Sequence, residues 1–236
     1  LLAMGPELTL SNQANAVEYL FKEYGQLESK SGTPMIKFPV KRGDIRIEPH
    51  RDLILKALTE IGVSPEQPVM VAGQSMTVAD LYRHSLQNTW VEGEKTSFGE
   101  WDDGPWTLQA LATWAPESLT WNTDGHAMSL DSFTSAMVNQ LRRETEFLHI
   151  AKEQGGIVKK RKQGIFRYTC GGAHFLQGTA YAVARGFGTD ADRASITEEI
   201  DVMFYRFRLE LDELDEFIKL RPDYRHLLLA QRLKFL

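Results

Sequence analysis

A mainly α chain is the fold class the sequence predicts, with helical hairpins arranged as a partial α/α toroid or bundle and a small β-hairpin near residues 35–48. Three observations carry that expectation. Apolar residues recur at helical spacing through most of the chain. Gly155-Gly156, Gly186, Pro116 and Pro222 punctuate those stretches where helices end. The alternation that marks strands is clearest at Ile36, Phe38 and Val40, then at Ile45 and Ile47.

The 236 residues are enough to bury a sizeable core, and 42% hydrophobic with 25% charged residues is ordinary for a soluble globular protein. No linker rich in Pro, Gly or Ser divides the chain. It reads as one domain, with an N-terminal helix and hairpin over 1–75 and a helical-hairpin core over 76–236. A net charge of −5 argues against a nucleic-acid partner, which would need a basic excess. The basic run Lys159-Lys160-Arg161-Lys162 reads as a solvated loop. No apolar run approaches the roughly 20 residues a membrane span requires. One cysteine excludes an intramolecular disulfide and fits a reducing compartment. The chain opens Leu1-Leu2-Ala3-Met4, so a cytoplasmic placement and a periplasmic or secreted one with its signal removed both stand.

Element by element, Asn12 to Leu27 forms a first helix, with Ser11 as its N-cap and Ala16, Tyr19, Leu20 and Tyr24 on one face. Met35 to Glu48 forms the hairpin around a Lys-Arg-Gly-Asp turn, with Pro39 holding its first strand to an edge. Arg51 to Ile61 is a short amphipathic helix closed by Gly62, and Val69 to Ala72 a second extended stretch. Thr77-Val-Ala-Asp80 is a capping box that opens a helix to about Trp90. Gly93 to Gly104 is a polar loop, Trp106 to Trp114 a helix stopped by Pro116, and Trp121 to His126 a tight loop. Ser129 or Asp131 caps a long helix to about Gln154. A helix rich in small residues follows Cys170-Gly-Gly and ends at Gly186 and Gly188. Ser195-Ile-Thr-Glu198, a second capping box, starts a helix whose seam is Ile200, Phe204, Phe207, Leu211, Leu214 and Ile218. Pro222 ends it, and Leu227 to Leu236 is a last amphipathic segment.

At an offset of 68 residues, Leu108-Gln-Ala-Leu-Ala112 falls on Leu176-Gln-Gly-Thr-Ala180, Gly104 on Gly172 and Trp106 on His174. Each copy is a short small-residue helix, a polar loop and a long charged helix, the layout of helical-hairpin repeats that curve about a centre. Over about residues 76 to 220 this texture resembles the α/α toroids of terpene cyclases, protein prenyltransferases and some polysaccharide lyases. That resemblance implies inner helices whose N-termini ring a cavity. The acid motif Asp-x-Asp-Asp of the terpene cyclases is absent, so no activity carries over.

The candidate chemistry follows from that layout. Cys170 and His174 share one helix face if the helix already runs through Cys170. They are then two ligands of a divalent metal such as zinc, or a nucleophile activated at a helix N-terminus, or packing residues between close helices. Asp102 and Asp103, between Trp101 and Trp106, are helix caps or paired carboxylates at the rim of a carbohydrate site, where indole rings stack on sugar faces. Asp124-Gly-His126, beside Trp121, adds a base or a third ligand, or is simply an Asp-Gly turn. Glu146-x-x-His149 reads as an exposed, ion-paired helix face. His50 and His226 carry no role at this level.

Two function classes follow. One is a small-molecule or carbohydrate-like ligand cavity, catalytic as a metal-assisted hydrolase or lyase, with Asp102, His126, Cys170 and His174 converging within about 10 Å. The other is a non-catalytic helical scaffold that binds a partner or a second copy of itself, with the seam from Ile200 to Ile218 partly exposed.

Overall fold

Asn15, not Ser11, starts the first helix. Its side-chain oxygen accepts the backbone N–H groups of Val17 and Glu18 at 2.8 and 3.2 Å, and α1 spans Ala16–Tyr24. The computed structural model describes residues 3–30, 32–89, 104–159, 161 and 163–232. Beyond α1 the chain turns extended, so Leu27 lies not in a helix but in β1 (Gln26–Lys30), antiparallel to β2 (Thr33–Lys37).

The hairpin expected over Met35 to Glu48 is divided between two pairings. Met35 and Ile36 pair with Glu28 and Leu27, while the Lys-Arg-Gly-Asp turn closes only a two-rung ladder of β3 (Lys41–Arg42) and β4 (Ile45–Arg46). Pro39 lies between the two, where its missing N–H cannot extend a ladder. The alternation is therefore continuous in sequence but not in space: Ile36 and Phe38 are buried, Ile45 is exposed.

After α2 (Leu53–Glu60), two hairpin-and-helix units share one construction. In the first, β5 (Pro68–Val71) and β6 (Gln74–Thr77) join through Ala72 and Gly73 at φ 50° and 80°. In the second, β7 (Thr120–Thr123) and β8 (His126–Ser129) join through Asp124 and Gly125 at φ 48° and 90°. Two successive left-handed residues make the tight turn whose twist matches paired strands. The stretch from Trp121 to His126 is thus a hairpin rather than a plain loop. Each second strand runs directly into a cap, Thr77 for α3 (Val78–Gln87) and Ser129 for α5 (Leu130–Glu153), both in capping boxes. Met76, Val78 and Leu81 in one unit, and Met128, Leu130 and Phe133 in the other, turn toward apolar clusters.

Between the units lies α4 (Gly104–Trp114), and after α5 come α6 (Ala173–Ala184) and α7 (Asp190–Leu220). The start of α7 differs from the expectation. Thr189 Oγ1 accepts the Asp192 N–H at 3.1 Å, and Asp192 Oδ2 accepts the Thr189 N–H at 2.8 Å. Ser195 lies inside the helix, because this earlier box already satisfies the first turn.

Helix directions follow from paired contacts. Trp106 meets His174 and Thr113 meets Tyr181, so α4 and α6 run in the same sense. Ser135 meets Asp192, Thr145 meets Glu199 and Tyr205 meets Gly156, so α5 and α7 do too. At Gly178 the two short helices approach so closely that an added Cβ would lie 2.1 Å from the Pro105 carbonyl oxygen.

The buried face of α7 is Asp192, Ile196, Glu199, Val202, Arg206 and Glu210, not the apolar seam. Ile200 is 39% and Phe204 67% exposed. The inversion has a polar cause: the buried acids have partners across the interface or along the helix. Pro222 opens a 3-10 turn, and α8 (Arg225–Arg232) follows. Among the described residues no helix is long and apolar enough to cross a membrane.

Candidate functional site

Three aromatic rings from three separate helix starts meet at one place. His50 lies three residues before α2, Trp106 in the first turn of α4 and His174 in the first turn of α6. The His50 and Trp106 rings are 4.6 Å apart at 76°, and the Trp106 and His174 rings 5.0 Å apart at 81°. Both imidazoles thus stand edge-to-face against one indole. Lys56 Nζ lies 6.0 Å from the same ring.

Buried polar groups hold this arrangement. Asp52, in a left-handed conformation before α2, accepts a hydrogen bond from Ser85 Oγ at 2.5 Å and another from Thr107 Oγ1. One carboxylate therefore ties α2, α3 and α4 together. Lys56 pairs with Glu60 at 2.6 Å, and Gln109 Nε2 donates to Glu60 Oε1 at 2.9 Å. His84, on α3, faces Glu28 at 3.0 Å; burial holds its pKa below the ordinary imidazole value against the opposing pull of Asp52 and Glu28.

The entry to α6 is built differently from a helix N-terminus running through Cys170. Cys170, Gly171 and Gly172 are all left-handed, at φ 51°, 61° and 85°, and the helix begins only at Ala173. The four-residue spacing therefore does not stack Cys170 and His174 on one helix face. The cause lies 35 residues on. The Arg206 guanidinium, 2% exposed, donates to the Gly171 carbonyl and to Glu210 Oε1 at 2.6 Å, and lies 4.8 Å from the Phe166 ring. A Cβ at position 171 would meet that guanidinium and one at 172 would meet Ile165, so the glycines are required for this approach. Cys170 itself is exposed. Among the described residues no group of three or more His, Cys, Asp or Glu side chains is arranged to hold a metal, so the Cys170 and His174 pair finds no further ligand there.

Of the other residues singled out in sequence, Trp101, Asp102 and Asp103 lie outside the described residues. Trp106 is 6% exposed and offers no open face for stacking a sugar, its ring packing instead against the two imidazoles. Trp121 is half-buried against the apolar cluster of α4, α5, α6 and α7. His126 is an exposed residue at the start of β8, on the hairpin whose Asp124 pairs with Lys30 at 2.7 Å. That hairpin packs against α3 and α5.

Two participants escaped the sequence. His50 carried only a helix-start signal, and nothing short of the fold places its ring on Trp106. Glu199, fully buried on α7, accepts from Thr145 Oγ1 at 2.7 Å and pairs with His149 Nε2 at 2.7 Å. His149 is therefore a contact between α5 and α7 and not part of a freely solvated face.

No family model matches the chain, and neither a curated protein nor a solved structure matches it.

Proposed function

We propose that the chain binds a small polar ligand where the N-termini of α2, α4 and α6 converge, with His50 and His174 as the groups that touch it. The observation that carries this reading is the His50–Trp106–His174 ladder. Three helix starts from distant parts of the sequence deliver two imidazoles to one buried indole. Convergent polar groups on a rigid, mostly apolar base are the usual make-up of a ligand site. Imidazole side chains suit acid–base chemistry, of the hydrolase or lyase kind, on whatever is held there.

The same reading extends to the architecture. Helices α2, α4 and α6 are inner and α3, α5 and α7 outer in three successive hairpins of a partial α/α toroid. The contacts of Trp106 with His174 and of Thr113 with Tyr181, both at the 68-residue offset, support it. The experiment is a titration of assigned imidazole NMR signals with a panel of sugars, amino acids, carboxylates and phosphate. One ligand class moves His50 and His174 together and leaves His226 unchanged. Scattered responses, or none across the panel, would sink the proposal.

One observation favours a second reading, a non-catalytic scaffold with an outer docking face. The apolar seam of α7 is open to solvent at Ile200 and Phe204, and Phe217 and Leu220 continue the exposure. Light scattering across a concentration series tests it. A mass that rises with concentration and falls back in Phe204→Lys supports this reading, and a constant monomer mass removes self-association from it.

A further inference from the structure

Among the described residues, two polar atoms on α4 are buried with no hydrogen-bond partner: the indole donor Trp106 Nε1 and the amide acceptor Gln109 Oε1. They sit three residues apart in one helix, and so on adjoining positions of one face. Contacts with α2 confirm that face, since Lys56 lies by the Trp106 ring and Glu60 accepts from Gln109. The amide orientation is set by chemistry. Glu60 is a carboxylate that only accepts when ionised, so Nε2 points to it and Oε1 points away. Neither orphan atom bonds to the other, and each loses about 1–3 kcal/mol by being buried unsatisfied.

A lone donor and a lone acceptor on one helix face together complement a hydroxyl group, which accepts through a lone pair and donates its proton. A carboxylate or phosphate oxygen could take the indole N–H but would repel the amide oxygen, and an ammonium would do the reverse. We infer that this pair is a hydroxyl-recognition slot, and that the ligand class of the site is a neutral polyhydroxy compound such as a sugar or polyol. One ligand hydroxyl accepts from Trp106 Nε1 and donates to Gln109 Oε1, while the Lys56–Glu60 pair beside it supplies the donors and acceptors that neighbouring hydroxyls need. The inference rests on the site proposed above and adds the chemistry of what fills it.

The test follows the indole N–H resonance of Trp106, assigned with Trp106→Phe, together with the imidazole signals of His50 and His174. The probes are glucose, galactose, mannose and myo-inositol against acetate, succinate and phosphate. The expected result is a saturable shift of the Trp106 N–H with at least one neutral polyol and none of the anions. Trp106→Phe, which deletes the donor, and Gln109→Leu, which deletes the acceptor, each weaken that binding about tenfold, read on the imidazoles. Circular dichroism and the thermal midpoint establish that each variant is folded. If the imidazoles answer a ligand while the indole N–H stays still, the site stands and the hydroxyl slot is overturned. Shifts with the anions alone, or a lasting contact between the indole N–H and water that no polyol displaces, also overturn it. Silence of all three signals across the whole panel removes the site as well.

Discussion

Replacing Gly178 by alanine sets two calculable effects against each other. Gly178 lies inside α6, where alanine is favoured over glycine by about 1 kcal/mol. Its Cβ, however, would stand 2.1 Å from the Pro105 carbonyl oxygen, 2.7 Å from the carbonyl carbon and 2.9 Å from the proline Cβ. Two of these atoms are backbone, in the first turn of α4, and cannot swing aside as a side-chain tip would. Relief requires α4 and α6 to separate by roughly an ångström, at an overpacking cost of about 1–3 kcal/mol or more. The clash is severe enough that the upper part of that range applies, leaving a net loss of about 2 kcal/mol. For a chain of this size that lowers the thermal midpoint by about 4–8 °C. Gly104→Ala is the control, because the atoms its Cβ meets belong to the Met137 side chain, the sulfur at 2.8 Å and the methyl at 3.5 Å, and a methionine side chain can repack. Chemical denaturation of both variants checks the argument. A Gly178→Ala protein as stable as Gly104→Ala would refute the close approach of the two helices. Separation should also move His174 away from Trp106, so the imidazole signal of His174 shifts in Gly178→Ala and not in the control.

Three further outcomes are expected. Arg206→Met leaves Glu210 and the Gly171 carbonyl without the guanidinium at a buried site, costing about 3–5 kcal/mol, and Arg206→Met with Glu210→Leu recovers most of it; equal losses in the single and double variants would contradict the pairing. Ala72, exposed and left-handed at φ 50°, stores strain that Ala72→Asn relieves by about 0.5–1 kcal/mol in a denaturant titration, and no gain would mean that the β5–β6 turn is built otherwise. Burial holds the folded pKa of His84 below 6.5, so the unfolded chain takes up a proton that the folded one resists. Stability is therefore intact above pH 6.5 and falls as pH drops from there toward the folded value, whereas His84→Gln flattens the decline. Glu28, lowered chiefly by its hydrogen bond from Lys37, adds a separate loss only as pH falls below about 4.5.

Local patterns were legible where one stretch of chain settles its own structure. The capping box at Thr77, the cap at Ser129, the glycine stop after α6 and the proline after α7 are all local chemistry, and each stands where the sequence places it. The single cysteine, the acidic balance and the mainly helical class were equally accessible, since they are sums over composition or short-range periodicity. Misreadings arose where two local signals competed. Ser195-Ile-Thr-Glu198 has the same form as Thr189-Asp-Ala-Asp192, and only the packing of Asp192 against Ser135 shows which one caps α7.

Tertiary structure alone decided which face of α7 is inside. Hydrophobicity points to Ile200, Phe204 and Phe207, yet Glu199, Arg206 and Glu210 are buried, because partners on α5, at Gly171 and within α7 itself offset the cost of removing charge from water. It also decided the candidate site. The sequence by itself determined that Trp106 and His174 open two similar short helices. That His50 joins them, that Cys170 stands in a left-handed turn outside α6, and that Trp106 Nε1 and Gln109 Oε1 are buried without partners among the described residues depend on contacts between segments far apart in the chain. Such contacts are set by helix packing, which no local pattern of residues records.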